Sequence, residues 1–394
     1  MSSRTRWLLP AGIEEVLPEN AAVLESYRRK LLDVFASWGY QLVIPPFIEF
    51  LDSLLIGDCE DLNLQTFKVT DQLSGRTMGV RADMTPQVAR IDAHMLKEDS
   101  PTRLCYCGTV LHTLPESAGG SRSPLQIGAE LYGHSGISSD IEIIALMTNT
   151  LQACGISNII LDLGHTGIFE SLITKAALNH DAESDLFAML QRKSTPDIES
   201  LLQKVDCATD IKAAIINLVS LHGASSILDR AREQLSIGGE SVLSSINYLE
   251  EVSKALQQRL PNIDIHFDLA ESRGYHYQHG IVFTAFCAAS GSELARGGRY
   301  DNIGESFGRA RPATGFSADL RQLIATSNQA LPANTKTIFA PSSDEEDLAT
   351  LISTLRNEGE VVITALSDNA DEAKNCGCTH TLQKDNNQWV IKEI

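Results

Sequence analysis

The segment Leu125-Gln-Ile-Gly-Ala-Glu-Leu-Tyr132 alternates strictly between apolar and other residues. In a β-strand successive side chains point to opposite faces. Leu125, Ile127, Ala129 and Leu131 therefore line an apolar face, and Gln126, Gly128, Glu130 and Tyr132 line the other. Gln126 and Glu130 flank a residue that has no side chain. The pattern leaves a hollow on the sheet with an amide at one end and a carboxylate at the other, able to hold a small molecule by hydrogen bonds. A solvent-facing polar surface with an incidental glycine would carry the same pattern. Further along, Arg296-Gly-Gly-Arg-Tyr-Asp301 pairs two glycines, which let backbone come close to a ligand or a neighbouring strand. The eight cysteines offer no metal chemistry. Cys105 and Cys107 share one face of a strand, Cys376 and Cys378 flank a glycine, and neither pair has zinc-ligand spacing. Reduced thiols are expected, with no metal and no cofactor.

Several elements must position that strand. Leu24, Tyr27, Leu31, Phe35 and Trp38 recur at spacings of three and four, which predicts an amphipathic helix ended by Gly39. Gln41–Ile44 reads as a strand stopped by Pro45-Pro46. Phe67–Thr70 and Thr77–Arg81 read as a hairpin around Ser74-Gly75, followed by a helix from about Pro86 to His94. Arg103–Leu111 and Leu125–Tyr132 are strands joined by a small, polar loop. Ser139-x-x-Glu142 reads as the capping box of a helix that ends before Gly155. Asn158–Leu163 is a strand. Helical patterns then run over about 166–255, an insertion within the sheet domain. The sheet resumes with Asp264–Asp268, Tyr277–Phe286 and Glu293–Arg296, and Thr314–Ala325 reads as a closing helix. The expected fold class is α+β on an antiparallel sheet, covering residues 1–330. A small α/β domain over 334–394 follows, from strands at Thr337–Ala340, Glu360–Thr364 and Trp389–Ile391 and a helix at Glu345–Arg356.

Composition narrows the function. The chain has 394 residues, 43% of them hydrophobic, enough for two or three domains. A polar N-terminus and the lack of any run of about 18 apolar residues predict a cytoplasmic chain without a membrane span. The net charge of -19 counts against a tRNA ligand, because nucleic-acid affinity rests on neutralising phosphates.

Motifs along the chain resemble those of class II histidyl-tRNA synthetases. Gln126-x-Gly128-x-Glu130 resembles the strand that lines that family's histidine pocket. Arg81-Ala-Asp-Met-Thr85 resembles its Arg-Pro-Glu-Gly-Thr, with Asp83 one methylene shorter than the family's Glu. Ser272-Arg-Gly-Tyr-His-Tyr-Gln278 resembles the histidine-specific signature, keeping Arg273, Gly274 and Tyr277 and departing at Tyr275, His276 and Gln278. Gly297-Gly-Arg-Tyr-Asp301 and Arg311-Pro-Ala-Thr-Gly-Phe316 match the runs into the third class II motif. The resemblance implies histidine-binding roles for Asp83 and Thr85 on the α-ammonium, Gln126 on the amino-acid backbone groups, Glu130 and Tyr277 at the imidazole, and Arg273 on the carboxylate. A carboxylate can accept from an imidazole N–H and favours the charged ring. For Asp83 the residues alone equally allow an N-terminal cap. Helix, glycine, short strand and proline near residues 24–46 resemble the first class II motif, a dimer interface in the family.

The catalytic cations are missing. Pro101-Thr-Arg-Leu-Cys-Tyr-Cys-Gly-Thr-Val-Leu-His-Thr-Leu-Pro115 resembles the second motif, but His112 stands where the family has an ATP-binding Arg. In Gly315-Phe-Ser-Ala-Asp-Leu-Arg-Gln-Leu323, resembling the third motif, Gln322 stands where it has another. A phosphate clamp needs fixed, planar cationic donors. Amino-acid recognition kept and adenylation lost is the signature of the regulatory-subunit family of short-form ATP phosphoribosyltransferase. That resemblance implies a non-catalytic chain that activates a small catalytic subunit and mediates histidine feedback in the first step of histidine biosynthesis. It implies self-association as a dimer within a hetero-octamer, with free histidine as effector. An active histidyl-tRNA synthetase, or a paralogue acting on a non-tRNA acceptor, is the alternative, and both would need the missing ATP clamp.

Overall fold

The computed structural model describes residues 7–55, 60–115, 120–271, 279–327, 336–367 and 371–394. The chain divides into two compact units, Met1–Asn328 and Gln329–Ile394.

The first unit is built on a sheet with nine strands among the described residues. Their spatial order is Gln41–Leu42, Thr102–Thr109, Leu125–Tyr132, Ala313–Asp319, Glu293–Arg299, Ile281–Cys287, Ile159–His165, Asp264–Asp268 and His222–Gly223. The joints are antiparallel through the centre. Two are parallel, Gln41–Leu42 beside Leu104–Cys105 and Ile160–Leu163 beside Asp264–Phe267. The first strand pairs over two residues only, because Pro45 and Pro46 offer no N–H to continue a ladder. A separate three-stranded sheet carries the expected hairpin, Lys68–Thr70 with Thr77–Val80, and Ile48–Phe50 on its other side.

The helix Pro18–Ser37 starts on a proline and buries Val23, Tyr27, Leu31 and Phe35, one every fourth residue. Leu24 and Trp38 pack at the margin of that stripe. Gly39, at φ +83°, turns the chain where a side chain would be strained. The helices Ile137–Ala153 and Thr166–Ala176, with the further insertion helices up to Glu240–Arg259, cover the same face of the sheet, and their apolar residues form one continuous core with Ile127, Ala129 and Leu131. A second, smaller core lies on the other face: Met84, Val88, Ala89, Leu104, Tyr106, Val110, Tyr132, Tyr300 and Ala313.

Two expected elements differ. Thr314–Asp319 is a central strand, and helix begins only at Leu320. Pairing on both sides, to Leu125–Tyr132 and to Glu293–Arg299, satisfies the backbone and overrides the helical pattern. Asp319 then caps the short helix by accepting from the Arg321 N–H. The Ser139–Glu142 capping box does not form. The helix starts at Ile137, so Ser139 sits inside its first turn, donating to the carbonyls of His134 and Gly136, and Glu142 turns instead to Arg103 and the Tyr40 hydroxyl. The helix after Thr85 runs to Arg90 and widens into a π-helical turn over Ile91–Leu96.

The second unit has strands Thr337–Ala340, Val361–Thr364, His380–Asp385 and Gln388–Glu393 and the helix Glu346–Asn357, around a core of Ile338, Ala340, Leu348, Ile352, Leu355, Val362 and Leu382. The hairpin strand His380–Asp385 was not expected. It turns through Asn386 and Asn387, both at positive φ, the geometry that two-residue hairpin loops require.

Candidate functional site

The strand Leu125–Tyr132 is third of the nine in spatial order, paired on both sides, with Ile127, Ala129 and Leu131 in the large core. Its opposite face is not solvent-exposed. Glu130 is 1% exposed and Tyr132 2%. The hollow expected over Gly128 is occupied by a tyrosine. A methyl group at position 128 would lie 2.5 Å from the Tyr106 hydroxyl, so the glycine is what lets that ring lie flat on the strand.

Four of the expected site residues converge. Asp83 accepts from the Thr85 N–H at 3.0 Å and from the Gln126 amide at 2.7 Å. The Gln126 carbonyl in turn accepts from the Met84 N–H at 2.9 Å. The Thr85 hydroxyl reaches Glu130 at 3.2 Å and Tyr106 at 3.2 Å. Asp83, Thr85, Gln126 and Glu130 thus form one hydrogen-bonded constellation between the start of a helix and the centre of the sheet. Asp83 also ties down the first turn of that helix, from one position before the capping residue. Arg273 and Tyr277 lie outside the described residues, whose chain resumes at His279.

Two residues of this constellation escaped sequence reasoning. Tyr106 donates to Glu130 Oε1 at 2.9 Å, and Tyr300 donates to Oε2. The signal for Tyr300 was present in Gly297-Gly-Arg-Tyr-Asp301, a motif noted for its glycines rather than its ring. Nothing in local sequence distinguishes Tyr106 from a core tyrosine. Only the pairing Tyr106↔Gly128 reveals it.

Burial dominates the electrostatics. Removal from water pushes the Glu130 carboxyl up to about 8, against the pull of the Tyr300, Tyr106 and Thr85 hydroxyls and with a further push from the nearby Asp83. The same burial raises both tyrosines well above their ordinary range. Near neutrality the carboxyl therefore holds its proton while alone, and a cationic ring placed beside it would favour the ionised form.

The positions matching the missing ATP cations are differently employed. His112 is 5% exposed, and its Nε2 meets the Ala82 carbonyl at 2.9 Å. A carbonyl can only accept, so Nε2 carries the hydrogen there. Gln322 lies at the surface and donates to the Glu293 carbonyl at 2.5 Å. Neither presents a fixed cation. Arg81, at the head of the Arg-Ala-Asp-Met-Thr segment, is buried and spends its guanidinium on the carbonyls of Thr109 and Pro45. Among the described residues no group of three His, Cys, Asp or Glu side chains could hold a metal ion.

Comparison with known proteins identifies the family of the chain. A family model described as "Histidyl-tRNA synthetase" matches residues 12–323, and one described as "ATP phosphoribosyltransferase subunit HisZ C-terminal domain" matches residues 335–392. The ATP phosphoribosyltransferase regulatory subunit of Thioalkalivibrio sulfidiphilus is 51% identical, covering 100% of both chains. Its counterpart from Alkalilimnicola ehrlichii is 50% identical over 100% of this chain and 98% of its own. Among solved structures, one described as an ATP phosphoribosyltransferase regulatory subunit/histidyl-tRNA synthetase from Bacillus halodurans superposes with a TM-score of 0.82 at 26% identity, covering 96% of this chain and 97% of that one. Histidyl-tRNA synthetase from Nostoc superposes at 0.78 with 18% identity over 98% and 97% of the two chains, a likeness of fold alone.

Proposed function

The chain belongs to the family of ATP phosphoribosyltransferase regulatory subunits, and from that premise we infer that the constellation around Glu130 holds free histidine as a feedback signal. As a member of that family the chain is a non-catalytic, regulatory subunit acting in histidine biosynthesis. The single observation that carries the histidine reading is the contrast between two places. The half-buried Asp83, Thr85 and Gln126 and the buried Glu130 are joined by hydrogen bonds, whereas His112 and Gln322 are turned to backbone carbonyls where phosphate-binding cations would be needed.

The assignments follow the resemblance to histidyl-tRNA synthetases, and the chemistry of the ligand fits them. Asp83 and Thr85 would take the α-ammonium, Gln126 the backbone groups and Glu130 the imidazole. Arg273 would pair with the carboxylate and Tyr277 would close the imidazole end. Tyr106 and Tyr300 hold the Glu130 oxygens in place. Three of the roughly four acceptor positions of that carboxylate are filled by hydroxyls, and a ring N–H would take the fourth. At neutral pH one proton is shared between a largely neutral free imidazole and a protonated Glu130. Bringing them together lets that proton sit on the ring and leaves a buried ion pair.

Histidine would act by binding one arrangement of the regulatory chain better than another, since a ligand shifts an equilibrium only by its differential affinity. The partner is the short catalytic subunit of ATP phosphoribosyltransferase, in a hetero-octamer of four regulatory and four catalytic chains, with the regulatory chains paired as dimers. A net charge of -19 disfavours tRNA as a ligand. No helix among the described residues is long and apolar enough to cross a membrane, and a cytoplasmic location suits the biosynthetic role.

The test is calorimetry of the purified chain with histidine, followed by co-purification with a short catalytic subunit and its activity with and without histidine. Saturable histidine binding, a stable complex and inhibition by histidine are expected. No binding at millimolar histidine would leave the pocket a relic and end this reading.

A further inference from the structure

Arg299 and Tyr300 are consecutive, at the end of a central strand, and they point to opposite faces of the sheet. Tyr300 donates to Glu130 in the ligand constellation. Arg299 turns the other way, under the helix Ile137–Ala153. There its guanidinium makes a bidentate pair with Asp140, Nη2 to Oδ1 at 2.9 Å and Nε to Oδ2 at 3.2 Å. It also donates to Ser139 Oγ at 2.8 Å and to the His134 carbonyl at 3.2 Å. Asp140 is wholly buried and Arg299 is 5% exposed. A charge pair so placed holds position only while its geometry is kept, because a lost partner leaves a buried charge uncompensated.

The pair has a third member from outside the sheet. Tyr248, on the insertion helix Glu240–Arg259, donates its hydroxyl to Asp140 Oδ2. The ring of His165, at the end of the strand Ile159–His165, stands edge-on to Tyr248 with centroids 5.8 Å apart. The following residue, Thr166, exchanges hydrogen bonds with Gly280, its N–H donating to the Gly280 carbonyl at 2.9 Å and its hydroxyl accepting from the Gly280 N–H at 3.0 Å. Gly280 itself rests on the Arg299 stem, where a methyl group would meet the arginine carbons at 3.1 to 3.4 Å. The His279 N–H donates to the Arg299 carbonyl at 2.9 Å. His279 is therefore bonded to the residue next to Tyr300.

We propose that Arg299, Asp140 and Tyr248 form the link by which occupancy of the Glu130 pocket is passed to the helical insertion, with Arg299 as the positioning residue shared by pocket and insertion. The inference rests on the histidine reading of that pocket. Tyr300 is the place where a ligand can pull on the strand end, through Glu130. Asp301 Oδ1 fixes the same strand end, accepting from the Ala313 N–H at 2.9 Å and from Arg299 at 3.1 Å. A shift of this end cannot be absorbed locally, because each guanidinium donor is already committed. It must move Asp140, and Asp140 is bonded to the insertion.

Tyr248→Phe tests the link, since it deletes one hydroxyl, leaves the ring packing and touches none of the ligand-binding residues. The full-length variant is compared with the parent, alone and in complex with the short catalytic subunit, after thermal melting confirms that it folds. Histidine affinity of the free variant stays within about twofold of the parent by calorimetry. In the complex, residual activity at saturating histidine rises at least about fivefold, the low end of usual coupling factors, while activation of the catalytic subunit persists. An inhibition curve superimposable on that of the parent overturns the proposal. So does loss of histidine binding in the free variant, which would make Tyr248 part of the pocket's support and not its output. A parent chain that fails to bind histidine sinks the underlying reading, and is recorded before any variant is made. Arg299→Lys gives a second measurement. It keeps the charge but loses the bidentate geometry, and it relieves inhibition in the same direction.

Discussion

Gly315 stands directly across the strand pair from Glu130, and its missing side chain is what admits the Glu130 carboxylate to the sheet surface. A methyl group there would fall inside the contact radius of Oε2. The paired glycine and carboxylate are one device. The glycine supplies space, and the tyrosines on either side supply hydrogen bonds.

Gly315→Ala therefore expels the carboxylate from its three hydroxyl partners. The overpacked site costs about 1–3 kcal/mol, read as a lower denaturant midpoint with an unchanged slope. Histidine binding disappears in the same variant, as calorimetry would record. A variant that keeps full affinity would show that the carboxylate is not what the ligand meets.

The Glu130 carboxyl also makes stability depend on pH. It titrates at about 8 in the folded chain and near 4.5 when unfolded. Where the folded state holds a proton that the unfolded state has released, rising pH favours unfolding. The contribution is complete below about 4.5 and is lost as pH climbs towards about 8. Its size is on the order of a few kcal/mol. Glu130→Gln lacks this titration, so the melting temperature of the parent falls relative to that variant between pH 5 and 8.5. A constant difference across that range would contradict the assignment.

Much of this was written in the chain, and what was not has a physical reason. The alternation of Leu125–Tyr132 placed Ile127 and Glu130 on opposite faces because a strand has period two, whatever surrounds it. The stripe from Tyr27 to Phe35 was equally local. Thr314–Asp319 was misread as helix because its conformation is set by two neighbouring strands distant in sequence. Ser139 and Glu142 matched a cap by spacing, but Glu142 had a stronger partner in Arg103, which no local rule can foresee. The missing side chain at Gly128 does leave space on the sheet, but that space is taken by Tyr106 from the adjacent strand. Local rules marked the glycine, and only tertiary pairing said what lies over it.

Without fixed cations at positions 112 and 322 the chain is expected not to adenylate histidine. The expected result of a pyrophosphate-exchange assay with histidine and ATP is no turnover above background, and His112→Arg is expected not to restore it. His112 occupies a closed site and its Nε2 hydrogen is already donated to Ala82. A longer, permanently charged side chain there loses that bond and has to be buried or to displace its surroundings. The variant is expected to melt lower than the parent and to stay inactive in the same exchange assay. Restored exchange from this one change would mean that the nucleotide cradle is otherwise intact.

Histidine affinity should be bell-shaped in pH. A free imidazole titrates near about 6.5, and the empty pocket carboxyl at about 8. The bound pair holds one proton, shared between ring and carboxyl. Below about 6.5 the separate partners carry two, so binding must release one and weakens as pH falls. Above about 8 they carry none, so binding must take one up and weakens as pH rises. Calorimetry in buffers of different ionisation enthalpy reads the proton count directly: release in acid, uptake in alkali and close to none between. Glu130→Gln removes the alkaline limb. An affinity that keeps rising from pH 6 to 9 would show that the bound pair holds no proton, with a neutral ring against an ionised carboxylate.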